Sequence, residues 1–86
     1  SEINWVLRVD GHTDKIGVGP GSAFADNWEL SQARALSVVK YMIEQEGIPA
    51  NRLAATGFGE FQPVDLGDSP EALAANRRIE LKLTEK

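Results

Sequence analysis

Between Ile3 and Asp10 apolar and polar residues alternate. Ile3, Trp5, Leu7 and Val9 fall on one side, Asn4, Arg8 and Asp10 on the other, and Val6 alone breaks the pattern. A period of two is that of a strand with one buried face, and Val6 predicts some cover on the second face as well. Gly11 ends this strand. His12 to Ala25 then reads as a loop, because Gly17, Gly19, Pro20 and Gly21 interrupt any regular element. A loop of that length in a small domain is usually functional or mobile.

The next stretch has a helical period. Asp26 is placed to cap a helix, with Glu29 three residues later completing a capping box. The helix is predicted from Asn27 to about Gln45, where Gly47 and Pro49 stop it. Projected at about 100° per residue, Trp28, Ala35, Leu36, Val39, Met42 and Ile43 share an apolar stripe, and Asn27, Ser31 and Arg34 form a polar row facing away from it.

Arg52 to Thr56 reads as a second, short strand, closing a parallel, right-handed strand–helix–strand unit. A loop follows from Gly57 through Gln62-Pro63 to Gly67. Ser69 caps a short helix that starts with Pro70 and runs to about Asn76. The last strand is predicted over Arg78 to Leu83, with Ile79, Leu81 and Leu83 pointing inward and Arg78, Glu80 and Lys82 outward. The pattern predicts an α/β domain with no internal repeat, and 86 residues leave room for one such domain over 1–86.

Composition narrows the function classes. A net charge of −4 argues against a nucleic-acid partner, whose phosphates demand a basic footprint. Cysteine is absent, so thiol catalysis, thiolate metal sites and disulfides are all excluded. A single histidine is too few for a histidine metal cluster, and neither metal nor cofactor is expected. No apolar stretch approaches the roughly 20 residues of a membrane span, so membrane association is expected only through a region outside these residues.

Three constellations can carry chemistry. Asp10-Gly11-His12-Thr13-Asp14 sits where the first strand meets its loop, a common ligand position in open sheets. Asp14 can accept from a ligand ammonium, or, with Thr13, bond backbone amides to stabilise the turn. His12 can exchange a proton near neutral pH, or simply pack. In the second, Arg34 can hold a carboxylate bidentately and Asn27 adds an amide at the helix mouth, or both lie on a solvated face. In the third, Asn76-Arg77-Arg78-Ile79-Glu80, two successive arginines entering a strand must point to opposite faces, so one of them can reach the loops.

These blocks occur in the order Gly11-His12-Thr13-Asp14, Asn27-Trp28-Glu29-Leu30-Ser31-Gln32-Ala33-Arg34-Ala35, Gly57-Phe58-Gly59-Glu60 with Gln62-Pro63, and Asn76-Arg77-Arg78-Ile79-Glu80. Together they resemble the OmpA–MotB C-terminal domain over about Val6 to Leu83, and Asn27-Trp28-Glu29-Leu30-Ser31 resembles its flagellar-stator branch. The resemblance implies non-covalent, non-enzymatic binding of peptidoglycan through the diaminopimelate of its stem peptides, on the periplasmic face of a bacterial envelope. It assigns the ligand to Asp14 and Arg34, assisted by Asn27 and Arg77. It also implies a mixed sheet of four strands, with the last strand between the first two and antiparallel. The family's opening strand and helix have no counterpart ahead of Ile3. The last strand is therefore expected to be an edge beside an exposed apolar patch, and a homodimer is expected from it. The loop from Lys15 to Asp26 is longer and richer in glycine than in shorter members. Two other classes are a wall hydrolase using Asp14 or Glu60 with His12, and a protein-interaction module that uses the open sheet edge.

Overall fold

A computed structural model describes residues 4–85. The element order is β1 (Trp5–His12), α1 (Asn27–Glu46), a single 3-10 turn (Ala50–Arg52), β2 (Leu53–Gly57), α2 (Pro70–Asn76) and β3 (Arg78–Glu85). The sheet has three strands in the order β2-β1-β3. β2 runs parallel to β1 and β3 antiparallel to it, which is the mixed sheet that the family resemblance implied. Ile3, placed in the first strand by its alternation, lies outside the described residues.

Helix ends follow the local chemistry. Asp26 Oδ1 accepts from the Glu29 amide at 3.0 Å, and the Glu29 carboxylate reaches back to the Ala25 amide, one residue before the position an ideal capping box would use. Gly47 closes α1 with φ 68°, a left-handed conformation that glycine adopts without a steric penalty, and the Ile48 amide bonds the Met42 carbonyl. Ser69 Oγ caps α2 by accepting from the Ala72 amide, with Pro70 in the first turn. Strand bounds move by one or two residues. Arg52 belongs to the 3-10 turn and not to β2, because its amide bonds the Pro49 carbonyl at 2.9 Å; its guanidinium bonds the Trp5 carbonyl and lies 5.0 Å over the Trp5 ring.

The core is small. Val9, Ala35 and Val39 are buried, with Val38, Met42, Ile43, Leu53 and Ala55 packed around them. Burying Val9 alone contributes about 2 kcal/mol. The face that α1 buries differs from the expected stripe. Its buried residues are Asn27, Ser31, Ala35 and Val39, whereas Trp28 is 52% exposed and Leu36 41%. The polar row is therefore inside for the first two turns.

The cause is close approach. Gly11 and Gly57 are register partners at the ends of β1 and β2. A Cβ on Gly11 would stand 2.2 Å from the Ser31 carbonyl oxygen, and one on Gly57 2.5 Å from the Gln32 nitrogen. The two glycines let α1 touch the strand ends, where loop backbone groups need polar partners.

β3 corrects a second expectation. Ile79, Leu81 and Leu83 sit opposite Gly11, Val9 and Leu7, so they do face the side of the sheet that carries α1. Yet they are 37%, 52% and 72% exposed, because α1 lies over β1 and β2 and nothing among the described residues covers β3. Among the described residues β3 is thus an edge beside an apolar patch.

Candidate ligand site at the strand ends

The loops after β1 and β2, the start of α1 and the residue before β3 converge at one end of the sheet. The loops are tied together by backbone bonds, from the Phe58 amide to the Gly11 carbonyl at 3.0 Å and from the Thr13 amide to the Gly59 carbonyl at 2.9 Å. Ser31 Oγ accepts from the Gly59 amide at 2.9 Å, joining the second loop to the helix. Gly59 itself has φ 64°, which turns the chain so that Glu60 follows at the mouth.

Asp14 makes the turn bond that spacing allowed and, in addition, an ion pair. Its Oδ1 accepts from the Ile16 amide at 2.9 Å, a turn bond, and its Oδ2 accepts from Arg77 Nη1 at 2.7 Å. The Asp14 side chain is only 12% exposed, while that of Arg77 is 45% exposed. Asn27 Nδ2 donates to the carbonyls of Asp14 and Ile16 and to Glu60 Oε1, at 3.2, 3.1 and 3.0 Å. Three of the four predicted site residues, Asp14, Asn27 and Arg77, are thereby brought together.

Arg34 is not in contact with them. It is exposed and makes no hydrogen bond or ion pair among the described residues. Seven residues beyond Asn27, it stands on the same side of α1, about 10 Å further along the axis.

Two residues make contacts that sequence reasoning did not assign, although Glu60 was weighed there as a hydrolase carboxylate. Glu60 adds a second carboxylate to the mouth, and its signal was the glycine before it. Asn76 is buried and accepts from the Val64 and Asp65 amides while donating to the Asp65 carbonyl, so it holds the loop ahead of α2.

His12 is 4% exposed and faces away from this mouth. Its ring stacks on Phe58 at 5.1 Å between centroids, and neither ring nitrogen has a hydrogen-bond partner among the described residues. Burial, and then the positive charge of Arg78 opposite it, push its pKa below the ordinary value. It is a neutral packing residue at pH 7. Asp10, 2% exposed, is held bidentately by Arg8, whose guanidinium lies 5.7 Å over the Phe58 ring.

The family model described as "OmpA family" matches residues 2–77. The chain belongs to the OmpA family. It is 36% identical over 75 residues to Motility protein B of Bacillus subtilis, matching over 87% of this chain and 28% of that protein. A MotB-like protein from Desulfovibrio vulgaris superposes with a TM-score of 0.84 at 36% identity, over 96% of this chain and 51% of the other. A peptidoglycan-associated lipoprotein from Burkholderia pseudomallei gives 0.76 at 28% identity, over 93% and 63%. The chain thus spans under a third of that curated relative, and the mixed sheet with two helices is the OmpA-family arrangement.

Proposed function

We propose that this OmpA-family chain is a non-enzymatic anchor that binds peptidoglycan on the periplasmic face of the envelope, by holding the head group of diaminopimelate. The free end of that residue carries an ammonium and a carboxylate on one carbon. A reader of such a group needs an anion and a cation a few ångströms apart. The single observation that carries the proposal is the Asp14–Arg77 pair at 2.7 Å, at the mouth formed by Asn27 and Glu60.

Binding exchanges one internal ion pair for two. The ligand ammonium takes the Asp14 oxygen that Arg77 occupies, and its carboxylate takes the uncommitted Arg34, with the released Arg77 assisting. Arg34 suits the task because a planar guanidinium binds a carboxylate bidentately. Charge-assisted bonds contribute roughly 1.5–3 kcal/mol each, and separating Asp14 from Arg77 subtracts from that, so single sites bind in the micromolar to millimolar range. Many such sites on one polymer hold a protein by avidity.

The test is co-sedimentation with purified sacculi. The expected result is that Asp14→Ala and Arg34→Ala abolish sedimentation with unchanged circular dichroism, Arg77→Ala weakens it less, and Arg34→Lys also impairs it. Retained binding in both alanine variants Asp14→Ala and Arg34→Ala removes the proposed site. Release of muropeptides by the wild-type protein would make it a wall hydrolase. Failure of the wild-type protein to sediment would favour a protein-interaction module.

A further inference from the structure

Glu60 is a half-buried carboxylate that no cation neutralises. Its Oε1 accepts from Asn27 Nδ2 at 3.0 Å, and its Oε2 is unused. Arg77 is paired with Asp14 and Lys15 with Asp68, so among the described residues Glu60 has no ion-pair partner. A carboxylate drawn partly out of water pays a desolvation cost that a cation would offset. Its position is fixed from both sides. The Gly59 amide donates to Ser31 Oγ at 2.9 Å, the Gly59 carbonyl accepts from the Thr13 amide at 2.9 Å, and the Phe61 ring stacks on Trp28 at 5.0 Å. Little ordering is left for a ligand to impose.

Asn27 supplies a second unused acceptor. The residue is 4% exposed, and its Nδ2 donates to the Asp14 and Ile16 carbonyls and to Glu60. Three acceptors around that nitrogen fix the amide against a flip, so the free atom is the oxygen. No described group donates to Oδ1, yet it is not sealed inside, since the buried side-chain atoms without a partner are the two His12 nitrogens. It shares a carbon with Nδ2 and therefore opens to solvent beside Glu60.

An ammonium has three N–H donors, and Asp14 Oδ2, Glu60 Oε2 and Asn27 Oδ1 are three acceptors on adjoining segments. Charge also calls for the second carboxylate. When a ligand ammonium takes Asp14 from Arg77, two cations stand at the mouth and Asp14 can neutralise only one. Glu60 balances the other. A metal ion would need about six oxygens, and no group of three His, Asp or Glu side chains placed to hold one occurs among the described residues. We propose that Glu60 is a specificity-determining residue of the head-group site. With Asn27 Oδ1 it takes the N–H donors that Asp14 leaves over, so the site demands a charged primary amine beside the carboxylate. The proposal rests on the peptidoglycan reading above.

Amide NMR titrations with two probes test it: the stem tripeptide ending in diaminopimelate, and the same tripeptide with hydrogen in place of the free side-chain amine. Wild-type protein is expected to bind the amine form about a hundredfold more tightly, the size of two charge-assisted bonds less their desolvation. Glu60→Gln keeps an oxygen for Asn27 Nδ2 and removes only the charge. It should weaken the amine form about tenfold and bind the other probe slightly more tightly than wild type does, because a charge that repels its carboxylate is gone. An equal loss for both probes would make Glu60 a mere brace for Asn27 and overturn the proposal. So would a preference for the amine that Glu60→Gln leaves intact. In either case the head-group site stands. Wild-type protein that binds neither probe, or both alike, defeats the head-group reading and this role of Glu60 with it.

Discussion

The ends of β1 and β2 and the flank of β3 break the usual inside–outside rule in opposite senses. At the strand ends, Asn27, Ser31 and Asp14 are buried, and each is matched to backbone groups or to Arg77. Along β3, Leu81 and Leu83 are exposed. Buried polar groups of the first kind persist because every loop amide they satisfy would otherwise lose a partner. Exposed apolar groups of the second kind persist because α1 is one helix wide and spans β1 and β2 only. One region is closed and specified by hydrogen bonds, the other open and specified by little more than pairing to β1.

The largest break in this contrast is expected at the closed end. Gly11→Ala drives a methyl into the Ser31 carbonyl, a backbone atom that cannot move aside without lifting α1. A loss of about 3 kcal/mol is expected in urea unfolding, with loss of ligand binding. If Gly11→Ala matches wild-type stability, the close approach of α1 has no part in forming the site.

A smaller effect is expected from His12. Its folded-state pKa is depressed, so burying it as a neutral ring stabilises the fold above the ordinary value of 6.5. That contribution is lost as pH falls below 6.5, because the unfolded chain takes up the proton first. Glu80 is also depressed, by its bonds to Arg78 and Lys82, but its contribution is lost only as pH falls below 4.5. Urea midpoints measured between about pH 7.5 and 5.5 should decline for wild-type protein and stay flat for His12→Phe. An equal decline in the variant would assign the acid sensitivity to another group.

The smallest effect on stability is expected on the open flank. Leu81→Lys with Leu83→Ser should change unfolding free energy by less than about 0.5 kcal/mol per site, since neither side chain is packed. The same double variant should reduce the self-association we propose for this edge. Sedimentation showing that wild-type protein is a clean monomer at high concentration would remove the homodimer from the reading.

Most of the architecture was legible along the chain. Alternation located β1 and β3, the Asp26 cap and Gly47 stop bounded α1, and Ser69-Pro70 opened α2. These are local signals, carried by a residue and its near neighbours. The first two turns of α1 were misread because periodicity assumes that a helix meets an apolar surface. Here the helix meets loop backbone over two glycines, and the buried side is polar. The hydrogen bonds of Glu60 and Asn76 were not legible, although both residues stand in the ordered motifs, because each bonds to groups that are distant or irregular in sequence.

By itself, the order of residues determined the element sequence, the parallel and antiparallel pairing and the family, since each depends on short-range periodicity or on ordered motifs. Only the folded chain decided that Asp14 pairs with Arg77, 63 positions away, while Arg34 remains uncommitted. Such a choice depends on which loop reaches which strand end, and one-dimensional spacing holds no record of that distance.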